Sequence, residues 1–347
     1  MLIALLLALL AACCPPAIAS AQRVVSGPID GATALARFES AWSLVDQRYW
    51  DLSGAPVDWS EVGDRYRLKL DDVTTAEELY ELLEAMYDEL GDDHSVFVPP
   101  ARVAEIREAY GDLPCVAVFG SAASVGGGFR AFTPSVWPAL LAADLGFATQ
   151  TRANVEYGAT SVANVSVGYL RVPDLVTGGT AEAVRHAVTA LEQRGVAALV
   201  LDLRGNPGGR LVTMMQVAGV FTRGFLWRTV TSWTLPLPYP AIGLVATELP
   251  LAVLIDGGVN SAAEGLAGAL QANGRALVVG ERSAGNVEAV LPFCLRDGSQ
   301  AWIATGVLAP LLGPTWEGRG VVPDVETTSE DALGQALGEL VRKLEEQ

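Results

Sequence analysis

Residues Leu251–Leu270 have the sequence LAVLIDGGVNSAAEGLAGAL, in which a short apolar run is followed by two glycines and then by small residues. The run Leu251–Ile255 predicts a strand buried on both faces, and Ala262–Ala272 predicts a helix that ends before Gly274. Ser261 lies in the turn between them. A buried strand, a tight turn and a helix in this order are typical of an α/β sheet.

The same alternation extends to both sides of this stretch. Strands are predicted at Val165–Val172, Val196–Leu203 and Ala276–Val279, and helices at Thr180–Gln193 and Leu211–Phe221. We therefore expect an α/β core over residues 166–330, followed by a C-terminal helix over residues 331–347.

The N-terminal part of the chain has helical periodicity instead. Residues 22–110 predict a helical subdomain, in which Arg37–Trp50 forms one helix and Thr75 opens another with a capping box. That second helix ends at Gly91, so His94 is expected on a loop just after it. Residues 111–165 show no clean period and are interpreted as a connecting segment, either a lid or a reduced PDZ-like element.

Composition limits the classes of partner. The chain has 347 residues, 18% of them charged, and a net charge of −17. Such acidity disfavours nucleic acid, because binding to phosphates needs clustered cations. The two histidines and the absence of a C-x-x-C pattern argue against a metal site, and we expect no cofactor.

The first residues predict export. Residues 1–21 contain a short apolar run followed by Ala19-Ser20-Ala21, the A-x-A form of a signal-peptidase site. The run Leu10–Cys13 also fits a lipoprotein signal, so the mature protein is expected either as a cleaved secreted form or anchored through a lipid on Cys13. Cys115 and Cys294 would survive processing, either as one bridge or as two thiols.

Ser261 has the surroundings of a nucleophile. Amides in the first turn of a helix have no intrahelical partner and favour negative charge, so the Ala262 amide is suited to hold an oxyanion. The glycine-rich loop Asp202–Gly209 offers a second donor at Gly208 or Gly209. Each feature also has a plain structural interpretation, because Ser261 and Glu264 fit a capping box and the loop fits an ordinary turn.

A serine nucleophile needs a general base, and histidine is the usual one. His186 falls within the predicted amphipathic helix Thr180–Gln193 and is expected on the helix surface. His94, on its loop, is the better candidate.

Together these motifs resemble the C-terminal-processing and tricorn-core serine peptidases, whose non-catalytic relatives include the interphotoreceptor retinoid-binding protein modules. The matching stretches are Glu77–Pro100, Gly168–Leu175, Leu199–Gly209, Pro250–Gln271 and Glu317–Asp324. The resemblance implies a ββα-superhelix core like those of ClpP and crotonase, with the helical subdomain packed on it. It also implies that Ser261, three residues before Glu264, is the nucleophile.

The chain departs from this family at one position. The processing branch uses a lysine base in a glycine-lysine pair, and here the pair is Gly285-Asn286. An amide cannot accept the proton, so Asn286 is expected to orient substrate or water instead. The tricorn branch uses a histidine that is supported by the preceding residue and by a distant glutamate. His94 matches this histidine, Asp93 occupies the preceding position, where tricorn has a serine, and Glu317 lies at a similar separation from Ser261.

The resemblance implies an exported serine endopeptidase that cleaves peptides or proteins through an acyl-enzyme. Two alternatives stay open. One is a catalytically inactive ligand- or peptide-binding module of the same fold. The other is a structural envelope lipoprotein in which Ser261 only caps a helix.

Overall fold

The structure is a computed structural model that describes residues 27–51, 54–92, 94–110, 150–231 and 234–346. Residues 1–26 with Cys13, the candidate residue Asp93, and Cys115 lie outside these ranges, so what we expect of them stays a prediction.

The N-terminal part of the described chain is mainly helical, and the second half combines helices with most of the strands. The helices are α1 (Gly31–Arg48), α2 (Trp59–Lys69), α3 (Ala76–Asp88), α4 (Pro100–Tyr110), α5 (Thr180–Gln193), α6 (Leu211–Phe221), α7 (Ala262–Ala272) and α8 (Ala332–Glu345). The strands are β1 (Val96–Val98), β2 (Gln150–Arg152), β3 (Val155–Val162), β4 (Val165–Arg171), β5 (Ala198–Asp202), β6 (Phe225–Val230), β7 (Leu237–Pro240), β8 (Leu251–Ile255), β9 (Leu277–Gly280), β10 (Glu288–Cys294), β11 (Gln300–Pro310) and β12 (Val325–Glu326).

The main sheet has the strand order β12-β9-β8-β5-β4-β3-β2. Its neighbours are parallel from β12 to β4, and β3 and β2 are added antiparallel. Because β5 and β8 are adjacent and parallel, the loops that follow them meet at one edge of the sheet. That edge is where ligands usually bind in α/β proteins.

The two faces of this sheet are covered by different helices. Leu201 and Val253 belong to the core formed with α5, α6 and α7, whereas Val200 and Leu254 pack against α8. Strands buried on both faces explain the continuous apolar runs of the sequence.

A second, antiparallel sheet contains β1, β11, β6 and β7, with β10 paired to β11. The helices α1, α2 and α3 pack on it through a core that includes Phe38, Leu83 and Ile303. The capping box at Thr75 is present at the start of α3. This second sheet joins the N-terminal helices to the region around Ser261.

The mixed α/β class is confirmed, and the domain bounds expected from the sequence stay a prediction. β3 pairs with β4 from Glu156 to Val162, so the main sheet already begins within the segment interpreted as a connection. The ββα-superhelix detail stays a prediction. Cys294, at the end of β10, is disulfide-bonded, and its partner lies outside the described residues. Over the described ranges, none of the helices combines the length and apolarity that crossing a membrane requires.

Candidate active site

Ser261 occupies a strained turn between β8 and α7. Its backbone has φ 54° and ψ −122°, a region that residues with side chains rarely adopt. Such a conformation costs on the order of 1–3 kcal/mol and persists only where its surroundings impose it. The Ser261 amide donates to the carbonyl of Asn286 at 2.9 Å and to Glu264 Oε2 at 3.1 Å. These contacts hold the turn in place.

Glu264 joins this turn to the loop at residues 283–286. It is fully buried, and its Oε2 also accepts from the Asn286 amide at 2.9 Å. Its Oε1 accepts from the Ser283 hydroxyl and the Gly285 amide, both at 2.6 Å. Burial raises the pKa of Glu264, and these donors act against that rise. Glu264, the last residue of the S-x-x-E pattern, therefore ties the Ser261 turn to the loop at residues 283–286, in addition to its place in the first turn of α7.

The glycine-rich loop lies directly against the Ser261 turn. Gly208 has φ +96°, and a Cβ there would come within 2.7 Å of the Asn260 carbonyl and 2.8 Å of the Ala262 amide. Only glycine allows this approach. The Gly208 amide, however, donates to Asn206 Oδ1 at 2.8 Å. Gly208 therefore allows the glycine-rich loop to pack against the Ser261 turn. Gly209 is the better candidate for the second oxyanion donor.

A small cavity of about 20 Å³ opens beside Ser261. It is lined by Gly209, Leu211, Met214, Ser261, Ala262, Glu288, Ala289 and Leu308. The cavity thus brings together the predicted nucleophile and two predicted oxyanion donors. Its remaining wall is apolar except for Glu288, which the sequence analysis did not single out.

The Asp202–Gly209 loop is anchored by a buried ion pair. Asp202 Oδ2 lies 2.6 Å from Arg204 Nη2 and accepts from the Tyr169 hydroxyl at 2.7 Å. Arg204 also donates to the carbonyl of Ser329, and Asn206 donates to that of Val172. These contacts hold Asp202, Arg204 and Asn206 of the loop in place.

His94 is buried on the loop between α3 and β1, with 3% exposure. Its amide donates to Asp92 Oδ1 at 2.8 Å, and the next hydroxyl, Ser95 Oγ, accepts from the Ala304 amide at 3.0 Å. Its ring Nδ1 lies 2.9 Å from Glu288 Oε2. Glu288 also lines the Ser261 cavity, so the N-terminal histidine contacts a residue of the predicted nucleophile's site.

The other histidine does not approach the site. His186 is exposed on α5, where its ring meets Tyr157 edge to face at 6.1 Å between centroids. The surface position expected for it is confirmed.

Burial disfavours a charge on His94. The hydrogen bond and the charge of Glu288, together with the charges of Asp92 and Glu317, outweigh this effect and raise the pKa of the imidazole. A buried imidazole of this kind readily keeps a proton that it has accepted.

Glu317 does not take the place that the family pattern suggests. Its Oε2 accepts from the Val287 amide at 2.7 Å, and the ring contact that we expected for it belongs to Glu288. Burial is the main cause that raises the pKa of Glu317, to about 7, and the charges of Glu288 and Glu264 add to it. Glu317 is therefore a neighbour of the histidine rather than its direct partner.

Asn286 and the lysines bear on the choice of base. Asn286 holds the Ser261 turn through its backbone, as described above, and a substrate role for its side chain stays a prediction. The sequence contains two lysines, Lys69 and Lys343. Both are exposed, Lys69 over the ring of Tyr66 and Lys343 on α8, across the main sheet from α7. A lysine base near Ser261 is thus ruled out.

Sequence reasoning missed Glu288 and Trp50. Trp50 Nε1 donates to Glu288 Oε1 at 2.9 Å. One signal was available, because Glu288 is a charged residue that begins an otherwise apolar stretch just after Asn286. Among the described residues, no group of histidine, cysteine and carboxylate side chains is arranged to hold a metal ion.

Two protein-family descriptions match the chain. Residues 166–327 match Peptidase family S41, and residues 32–88 match the Tricorn protease C1 domain. Among curated relatives, a carboxyl-terminal-processing protease of Picosynechococcus sp. is 33% identical over 172 residues, covering 49% of this chain and 41% of that protein. One from Synechocystis sp. is 39% identical over 135 residues, covering 39% and 31%. The chain thus matches less than half the length of either relative.

Solved structures share the fold. The photosystem II D1 C-terminal processing protease superposes with a TM-score of 0.63 at 23% identity, over 86% of this chain and 94% of that one. A lipoprotein from Streptococcus agalactiae gives 0.62 at 15% identity, over 89% and 96%. The α/β core of this chain is thus similar to peptidase family S41 over residues 166–327, and its N-terminal helical region is similar to the Tricorn protease C1 domain over residues 32–88.

Proposed function

We propose that this chain is a serine endopeptidase in which Ser261 is the nucleophile and His94 is the general base. One observation carries the proposal. The buried His94 ring contacts Glu288, a residue that lines the same cavity as Ser261. The strained Ser261 turn and the absence of a nearby lysine support it.

The reaction would proceed through an acyl-enzyme. Ser261 Oγ attacks the substrate carbonyl and its proton passes to His94 Nε2, while the amides of Ala262 and Gly209 stabilise the oxyanion. The imidazolium then gives this proton to the departing amine as the C–N bond breaks. Water attacks the ester, His94 takes the water's proton, and that proton returns to Ser261 Oγ as the acid leaves.

The cavity supports a preference for a small side chain. Leu211, Met214 and Leu308 leave about 20 Å³ beside Ser261 and Ala262. A side chain of about methyl size on the residue that supplies the attacked carbonyl fits this space.

The expected substrates are peptides or proteins, and the expected location is outside the cytoplasm. The leader-like residues 1–21 support export, as does the disulfide at Cys294, because such bonds persist in oxidising compartments. A lipid on Cys13 would be the protein's link to a membrane.

Labelling with a fluorophosphonate tests the proposal. We expect the wild-type protein to be labelled, Ser261→Ala to lose the label, and His94→Gln to react on the order of 10³-fold more slowly. His186→Gln, the matched change on the surface histidine, should keep the full rate.

The same preparation separates the alternatives. A folded wild-type protein that is never labelled but binds peptides would be the inactive binding module. A folded protein that does neither would fit the structural lipoprotein. Either result would contradict the proposed function.

A further inference from the structure

We propose that Glu288 is the positioning carboxylate of His94 and that Trp50 holds it in place, in the role that the family pattern gives to Glu317. This inference rests on the proposed function.

Both oxygens of Glu288 are engaged. Oε2 meets His94 Nδ1 at 2.9 Å, and Oε1 accepts from Trp50 Nε1 at 2.9 Å. The carboxylate is therefore fixed in its plane. A carboxylate on Nδ1 places the ring proton there, which leaves the Nε2 lone pair to accept the proton of the nucleophile.

Strand β11 bonds to the backbone of Trp50 and to Ser95, next to His94, and it pairs with the strand that carries Glu288. Glu288 pairs with Val307 of β11. The Trp50 amide donates to the Ala304 carbonyl of the same strand at 2.9 Å, and the Ala304 amide donates to Ser95 Oγ, next to the histidine. β11 thus sets the spacing of all three side chains.

The other acidic groups near His94 are engaged elsewhere. Asp92 Oδ1 accepts from the amides of His94 and Ser95, so it shapes the loop. Glu317 accepts from the Val287 amide. Among the described residues, Glu288 is the carboxylate that contacts the ring.

Glu288 and Glu317 also differ in how strongly their charges stabilise a charged His94. The side chains of His94 and Glu288 are 3% and 5% exposed, so their pairing is poorly screened by solvent. The pKa of Glu317, raised to about 7, keeps a large part of that carboxyl neutral at neutral pH. Glu317 therefore adds only a through-space charge to the effect of Glu288 on His94, and only while its own carboxyl is ionised.

The test is a titration of His94 by NMR in the His186→Gln background, where one imidazole signal remains. Glu288→Gln and Glu317→Gln make the same chemical change at the two competing positions. We expect Glu288→Gln to lower the pKa of His94 and to reduce kcat on the order of 10³–10⁴-fold, with a smaller effect on KM. Glu317→Gln should reduce kcat by about tenfold or less and leave His94 titrating closer to the wild type.

Trp50→Phe tests the same contact without removing the carboxylate. It should lower kcat by about three- to tenfold at unchanged KM, because Glu288 loses one of its two partners. Trp42→Phe is the matched control, since the Trp42 indole also donates across this helical layer, to the carbonyl of Trp59 at 3.1 Å. That variant should keep the wild-type kcat.

The reverse pattern would overturn the inference. If Glu317→Gln lowers both the His94 pKa and kcat while Glu288→Gln leaves them unchanged, Glu317 is the partner. If Glu288→Gln does not fold, equal kcat values for Trp50→Phe and Trp42→Phe would also contradict it. The titration needs no turnover, so an inactive wild type would refute the proposed function and leave the Glu288 contact independently measurable.

Discussion

The backbone of Ser261 distinguishes the two roles that the sequence allows for this residue. An ordinary N-cap has extended backbone angles, as at Asp58 and Thr75 in this protein. Ser261 instead has φ 54°, although it also begins a helix. A cap needs no such strain, whereas a hydroxyl that must face a substrate gains a fixed, outward direction from it.

This difference leads to a prediction for two substitutions. Ser261→Ala keeps a Cβ in the strained region, while Ser261→Gly removes it. The glycine variant should therefore be more stable than the alanine variant by about 1–2 kcal/mol. Urea unfolding of both variants measures the difference. Equal stabilities would mean that the turn is relaxed and that the strain argument is wrong.

Residues near Ser261 in sequence were predictable, and those that act on His94 were not. The contact of Ser261 with Glu264 follows from a local motif, the capping box. The His94–Glu288 and Trp50–Glu288 contacts span 194 and 238 positions. The sequence marks Glu288 as a charged residue before an apolar stretch, but it does not identify its partners, because many carboxylates fit equally well before the sheets are assembled.

Helix α6 and strand β11 together set the size of the cavity at Ser261. Met214 of α6 and Leu308 of β11 line it. A Cβ on Gly265 would lie 2.8 Å from Met214 Sδ and 2.9 Å from Leu308 Cδ1, so both side chains are held close to α7. Close packing of this kind leaves little room for adjustment.

Shortening Met214 should therefore change substrate choice. Met214→Ala is expected to raise kcat/KM for peptides with leucine or valine before the cleaved bond, relative to alanine, by about tenfold or more. The measurement is a peptide series that differs only at that residue.

Met86→Ala is the matched control for this change. Met86 is fully buried in the N-terminal helical layer, away from the cavity. Its truncation should lower the free energy of unfolding by about 2–5 kcal/mol, as is expected for Met214→Ala. An equal shift of preference in both variants would show that loosened packing, rather than cavity size, changes the specificity.

Elements with a single strong pattern were predicted closely, and irregular ones were missed. β8 and α7 have the predicted bounds, Leu251–Ile255 and Ala262–Ala272. β3 alternates poorly between buried and exposed positions, and β11 is almost entirely buried. Neither strand shows the period-2 signal that identifies a half-buried strand, so neither β3 of the main sheet nor β11 of the second sheet was foreseen.

At the scale of the whole molecule, the site depends on the docking of two layers. The main sheet and α7 supply Ser261 and the oxyanion donors, and the N-terminal helices supply His94 and Trp50. The antiparallel sheet lies between these layers, and β10 and β11 contact both. The proposed activity therefore requires both layers in place, so any covalent tie to the second sheet is relevant to it.

The disulfide at Cys294 is such a tie, because it holds the end of β10, the strand that begins with Glu288. Cys115 is the expected partner, since the remaining cysteines, Cys13 and Cys14, lie in the leader-like segment. Peptide mapping without reduction should find Cys294 joined to Cys115, and Cys294→Ser should lower the free energy of unfolding by about 2–4 kcal/mol, because the cross-link restricts the unfolded chain. Cys115→Ser should lose the same amount, and the double variant should lose no more than either single one. A reactive thiol at Cys294 in protein isolated from an oxidising compartment, or additive losses in the double variant, would show that the two cysteines act separately.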